Sequence, residues 1–162
     1  MNSASQEKRA MLRHTVATLA YRGGKVVSNA PRGFANFRIA PSSRTAGQIL
    51  AHVGDLLDWA FCLAKGKHEW HDSKPLEWEQ EVDRFFHGLK LFDDYLASTL
   101  PLGFSEEQLF QGPVADALTH IGQIAMLRRA AEAPVKGENY FKAEILTGRV
   151  GPDQSTRRVE FD

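Results

Sequence analysis

Four segments of the chain repeat apolar residues at helical spacing, and glycine or proline punctuates the stretches between them. Over residues 5–21, Met11, Leu12, Thr15, Val16 and Leu19 share a face ahead of Gly23-Gly24, where continuation is costly and a stop is expected. A second segment places Ile49, Leu50, Val53, Leu56, Leu57, Ala60, Phe61 and Ala64 on one stripe, opened by Thr45 and Gln48 in capping-box spacing and closed by Gly66. Pro75 suits the first turn of a third, carrying Val82, Phe85, Phe86, Leu89, Phe92 and Leu96 and ending near Thr99. SEEQLF reads as a short turn, after which Pro113 starts a fourth segment with Leu118, Ile121, Ile124, Ala125 and Leu127 inward. A period near 3.6 sustained in four places excludes a sheet protein, whose strands alternate with period two. The expectation is an all-α fold, a four-helix bundle. Its first connection, KVVSNAPRGFANFRIAPSSR, is longer than two packed helices need, so it should cross over the bundle, pinned by Phe34 and Phe37.

The remaining tail, ENYFKAEILTGRVGPDQSTRRVEFD, is apolar in its first half and polar in its second. The first half is expected to pack as a short helix and the second to be loose. This divides the chain into a bundle domain over 1–150 and a polar tail over 151–162. With 162 residues, one domain with a real core is expected. Lys+Arg and Asp+Glu both number 20 and no basic run stands out, which disfavours nucleic acid as a partner. No stretch has the length and apolarity of a membrane span or a signal core. The single cysteine, Cys62 in WAFCLA, excludes an intrachain disulfide and reads as a small buried hydrophobe, so a cytoplasmic location is expected.

Chemistry concentrates in two of the helical stretches, TAGQILAHVGDLLDW and ADALTHIGQIAMLRR. Asp116 and His120 are spaced i, i+4 and therefore point the same way, while His52 lies within the apolar stripe of the second segment. Taken singly, His52 has the ordinary reading of a satisfied core histidine, and Asp116 that of a first-turn acid favoured by the helix dipole. Packing the two faces together brings two imidazoles and a carboxylate within reach of one divalent ion, with coordination positions to spare. A hydrogen-bonded His/Asp network is the alternative. Asp55, one turn after His52, either orients an imidazole or stands as a solvated acid. HEWHD, with His68, Glu69, His71 and Asp72, is a rival metal cluster whose loop spacing fixes no geometry. His14 and His87 read as core-edge and surface residues. Arg128-Arg129 either complement a helix C-terminus or hold an anion. No GxSxG elbow, P-loop or GxGxxG fingerprint is present.

AHVGDLLDW and THIGQI together resemble the DinB-like superfamily of metal-binding four-helix bundles. That family carries a histidine in its second helix and a late HxxxH pair, the last histidine commonly in an HxGQ context. His52 matches the first position and His120, in His120-Ile121-Gly122-Gln123, the last; Asp116 stands where the family has histidine. The resemblance runs from the first segment through the fourth. It implies a divalent-metal site (Zn²⁺, Ni²⁺ or Fe²⁺) held by His52, Asp116 and His120, in which the Asp116 carboxylate either substitutes for imidazole as a ligand or leaves the site weakened. It also implies a homodimer, and a metal-dependent thiol transferase or isomerase acting on a small molecule with a low-molecular-weight thiol. The FANFR connection and the ENYFKAE tail are expected to wall the pocket. A reading from a different class is a non-catalytic, stress-related binding bundle built around a polar His/Asp network.

Overall fold

In the computed structural model, which describes residues 3–161, the chain is mostly helical with very little strand. Residues 1, 2 and 162 of the expected domain and tail lie outside the described residues. Four long helices surround one core: α1 (Ser3–Val27), α2 (Ala46–Ala64), α3 (Trp78–Ala97) and α5 (Ala115–Ala130), with a short α4 (Glu106–Leu109) leading into α5. Both α1 and α2 pack against α3 and α5, so the order around the core is α1, α3, α2, α5. Tyr21, Phe85, Phe92, Leu19, Leu50, Leu57, Leu89 and Ile124 are among its fully buried side chains. Among the described residues no helix is long and apolar enough to cross a membrane.

The cap on α2 forms as expected: Thr45 Oγ1 accepts from the Gln48 amide at 3.2 Å and Gln48 Oε1 from the Thr45 amide at 2.8 Å. Gly66 follows the helix at φ +81°, a left-handed conformation open to glycine at little cost. Phe34 is buried against Trp78, ring centroids 5.1 Å apart, and Phe37 stacks on Phe34, so the first connection is pinned by the expected aromatics.

Several boundaries differ. Gly23-Gly24 does not stop α1, which continues to Val27. These glycines serve packing instead, because a Cβ on Gly23 would lie 2.5 Å from the Phe85 ring and one on Gly24 3.2 Å from the Phe86 ring. Met11, expected inward, is 65% exposed. The third helix begins at Trp78, later than Pro75, with Gln80 accepting from the Glu77 amide at 3.3 Å. SEEQLF is helical, capped by Ser105, whose hydroxyl accepts from the Gln108 amide at 3.2 Å. Pro113 does not start a helix; it sits inside a π turn, Phe110–Val114, joining α4 to α5. Proline lacks the N–H and crowds the carbonyl four residues back, and the wider turn relieves both. Leu109 and Val114 are both fully buried although five residues apart, so the core stripe takes a longer step across this turn.

The tail is not loose. Gly137–Glu138 pairs antiparallel with Glu160–Phe161, Glu138 opposite Glu160. Lys25 on α1 reaches Glu138 at 3.1 Å and Glu160 at 2.5 Å, and the Tyr21 hydroxyl donates to Glu138 at 2.6 Å. The Arg157 guanidinium lies 3.9 Å from the Tyr21 ring centroid. The first half of the tail forms a short 3₁₀ helix, Tyr140–Lys142, with the Tyr140 ring edge to face against Tyr21 of α1 at 6.3 Å.

Glycine geometry gives opposite signs for two alanine substitutions. Gly23→Ala gains about 0.5–1 kcal/mol of helix propensity, but overpacking against Phe85 costs about 1–3 kcal/mol, so a net loss is expected. Gly122 has nothing within 4 Å of a built Cβ, so Gly122→Ala should raise stability by about 0.5–1 kcal/mol. Urea unfolding of both variants checks the pair; equal signs would contradict the packing role of Gly23.

Candidate metal centre

His52 lies in the first half of α2, with the buried Ile49 and Leu56 one turn to either side. Asp116 and His120 lie in the first turns of α5, immediately past the π turn. Packing of α2 against α5 brings the three together, and one ligand atom from each lies within 4.8 Å of the others. His120 Nε2 is 3.4 Å from Asp116 Oδ1, His52 Nε2 is 3.8 Å from Asp116 Oδ2, and the two imidazoles meet edge to face at 4.7 Å. The group could hold a metal ion. Two atoms bound tetrahedrally at about 2.0–2.1 Å from a common zinc stand about 3.3–3.4 Å apart. The nearer contact already has that spacing.

Burial is uneven. The imidazoles are largely shielded, at 19% and 13% exposed, while the Asp116 side chain is 48% exposed. Desolvation cost therefore bears on the histidines and little on the acid. Burial, then the charges of His120 and Arg44, push His52 below its ordinary value against the pull of Asp116 and Asp55. A neutral imidazole with a free nitrogen is the form that ligates. His120 Nδ1 lies 2.8 Å from Gln123 Oε1; donation of Nδ1–H to that oxygen leaves the Nε2 lone pair facing Asp116.

Around this group the walls are not those expected. Neither FANFR nor ENYFKAE lines the clefts that contain the histidines, and Phe141 is 96% exposed. Later residues of the first connection (Ile39, Ser43, Arg44) and part of the next (Asp72, Ser73, Lys74, Pro75) do. The HEWHD segment is not a second metal cluster; among the described residues only His52, Asp116 and His120 converge as a possible one. Its aromatic rings instead pack beside α2, with Trp70 next to His52. Trp70 stands 5.6 Å from the His52 ring and 5.8 Å from Trp59, and His68 stacks on Trp59 at 5.6 Å.

Asp55 follows neither expectation. It is buried, accepting from Arg84 at 2.5 Å and from the Ser73 amide at 3.0 Å, and it fixes the connection that carries Trp70. Gly54 leaves room for the Arg84 guanidinium, which a Cβ would meet at 2.8 Å. Arg128 is buried and donates to the carbonyls of Val26, Ser28, Asn29 and Ala133, so it caps the end of α1 as well as its own helix end and does not serve as an anion site. Cys62 is only partly buried. His14 is half-buried and touches Thr147 at 3.3 Å, and His87 is exposed. Gln123 was findable from its i, i+3 spacing to His120; Arg44, Trp70 and Arg84 carried no local signal.

Burial alone raises the Asp55 carboxyl, but the hydrogen bonds from Arg84 and Ser73 outweigh it and hold the group below its ordinary value. Its stabilisation is thus fully present above the unfolded pKa of about 3.8 and is lost as pH falls through the lower folded value. Asp55→Asn should cost about 3 kcal/mol at neutral pH and flatten the acid limb of the stability curve. Parallel limbs for variant and parent would contradict this. Family models, curated proteins and solved structures were each compared with the chain, and none matches it.

Proposed function

We propose that the chain is a divalent-metal protein of the DinB-like type, a four-helix bundle in which His52, Asp116 and His120 are the protein ligands. The observation that carries this reading is the convergence of three ligand atoms, from helices about seventy residues apart in sequence, to within 4.8 Å. Two histidines and one carboxylate with positions left over suit Zn²⁺, Ni²⁺ or Fe²⁺. Such an ion, when bound, supplies a Lewis acid that lowers the pKa of a coordinated water or thiol toward neutrality.

The chain's own residues prepare the group for that role. Burial favours the neutral form of His52, Gln123 offers its Oε1 to His120 Nδ1, and Trp70 stands edge to face beside the His52 ring. Asp116, half exposed, supplies negative charge and leaves one side open toward small molecules. The activity we propose is transfer or isomerisation of a small electrophilic substrate with a low-molecular-weight thiol, in line with the resemblance in AHVGDLLDW and THIGQI. A non-catalytic bundle with a His/Asp hydrogen-bond network has less support. At 3.4 and 3.8 Å the two His–Asp contacts are longer than hydrogen bonds, and the well-formed bond in the group runs to Gln123.

Untagged protein purified without chelator should contain close to one equivalent of a transition metal by elemental analysis. His52→Ala, Asp116→Ala and His120→Ala should each lower Zn²⁺ affinity in equilibrium dialysis by more than the roughly 10–100-fold expected for losing the supporting Gln123. Asp116→His should retain binding. If Asp116→Ala binds as tightly as the parent while His120→Ala does not, Asp116 is a first-turn acid and no ligand.

A further inference from the structure

Two clefts meet at the candidate centre, and their walls differ in character. One, about 390 Å³, presents Arg44, Gln48, His52, Asp72 and Lys74. The other, about 410 Å³, is walled by Ile39, Ile49, Met126 and Leu127, with His120 and Gln123 at its edge. Arg44 lines both, so it stands where the polar cleft gives way to the apolar one. Each volume falls in the range of small-ligand sites, and neither alone suits a macromolecule.

Two features of these walls have no use in the fold itself. Ile39 is 64% and Met126 65% exposed, leaving an apolar surface in water at the mouth of the second cleft. Arg44 is exposed and has no hydrogen-bond or carboxylate partner among the described residues, so its guanidinium is open to a ligand from the cleft mouth. Asp55, the buried acid on the wall of the polar cleft, is already engaged by Arg84 and Ser73. An unpaired guanidinium beside an apolar slot complements a ligand with a carboxylate at one end and hydrocarbon at the other.

We propose that this site takes small amphipathic monocarboxylates, with the carboxylate against Arg44 and an alkyl or aryl group in the cleft of Ile39, Ile49, Met126 and Leu127. The ligand atoms next to the carboxylate then lie beside His52 and His120. The assignment deepens the metal-centre reading and rests on it for any reaction, though not for binding. Lys74 adds positive charge in the polar cleft, and Asp72 on the same wall disfavours a second carboxylate there.

Isothermal titration of the full chain with butanoate, hexanoate, octanoate and 1-octanol, with and without Zn²⁺, tests it. Octanoate should bind, and affinity should rise by about fourfold per added methylene. Arg44→Gln should weaken octanoate by at least about tenfold while Zn²⁺ binds no more weakly. Met126→Gln should shrink the gap between octanoate and butanoate. Equal affinity for 1-octanol and octanoate, no dependence on chain length, or an unchanged Arg44→Gln would each overturn the proposal. If the carboxylate pattern holds and Zn²⁺ does not bind, the metal reading fails and the ligand class stands; if Zn²⁺ binds and octanoate does not, the ligand class alone fails.

Discussion

The Arg84 guanidinium, lodged between α2 and α3, fixes the part of the molecule on which the candidate centre depends. It meets Asp55 at 2.5 Å and Asp58 at 2.6 Å, donates to the Ala51 carbonyl at 3.2 Å, and lies 3.6 Å from the fully buried Glu81. Asp55 and Glu81 are out of water, and buried carboxylates are tolerable only beside a cation; Arg84 bonds Asp55 directly, while Glu81 Oε2 has its charge nearby but no hydrogen bond. Asp55 then uses its second oxygen to hold the Ser73 amide, and Glu81 holds the Leu76 amide at 2.9 Å. One ion-pair network therefore joins two helices and draws the connection between them back across α2. Trp70 reaches the His52 ring because of that fold-back.

Two other arginines solve a related problem at the helix ends. The last carbonyls of a helix have no partner within it and must find donors elsewhere. Arg9 donates to Tyr95, Leu96 and Leu100 at the end of α3, and Arg128 to Val26, Ser28 and Asn29 at the end of α1. Trp78 adds a bond from its indole to Val27 at 3.0 Å. In each case a neighbouring helix supplies the cap, so helix termini and bundle packing are specified together.

The apolar period and the turn chemistry made the helices legible in sequence, as Thr45, Gln48 and Gly66 illustrate. Where local rules failed, tertiary contact had overridden them. Gly23-Gly24 reads as a stop until Phe85 and Phe86 are seen to fill the space, and Pro113 reads as a start until the π turn absorbs it. The tail's charges look like solvated residues because Lys25, the partner of Glu138 and Glu160, lies more than a hundred positions earlier. Asp116 with His120 was visible from the i, i+4 spacing, and His52 from its place on a stripe. The shell around them was not, because Arg44, Trp70 and Arg84 reach the site through long-range packing.

The proposed chemistry depends on His52, Asp116 and His120 sharing one ion, which their ligand atoms, within 4.8 Å of one another, could do. The most direct measurement is anomalous scattering at the zinc edge from crystals grown with Zn²⁺. A peak within about 2.0–2.2 Å of His52 Nε2, His120 Nε2 and an Asp116 oxygen is the predicted result. A peak at His68 and His71, or ordered side chains at the three positions with no peak between them, would contradict it.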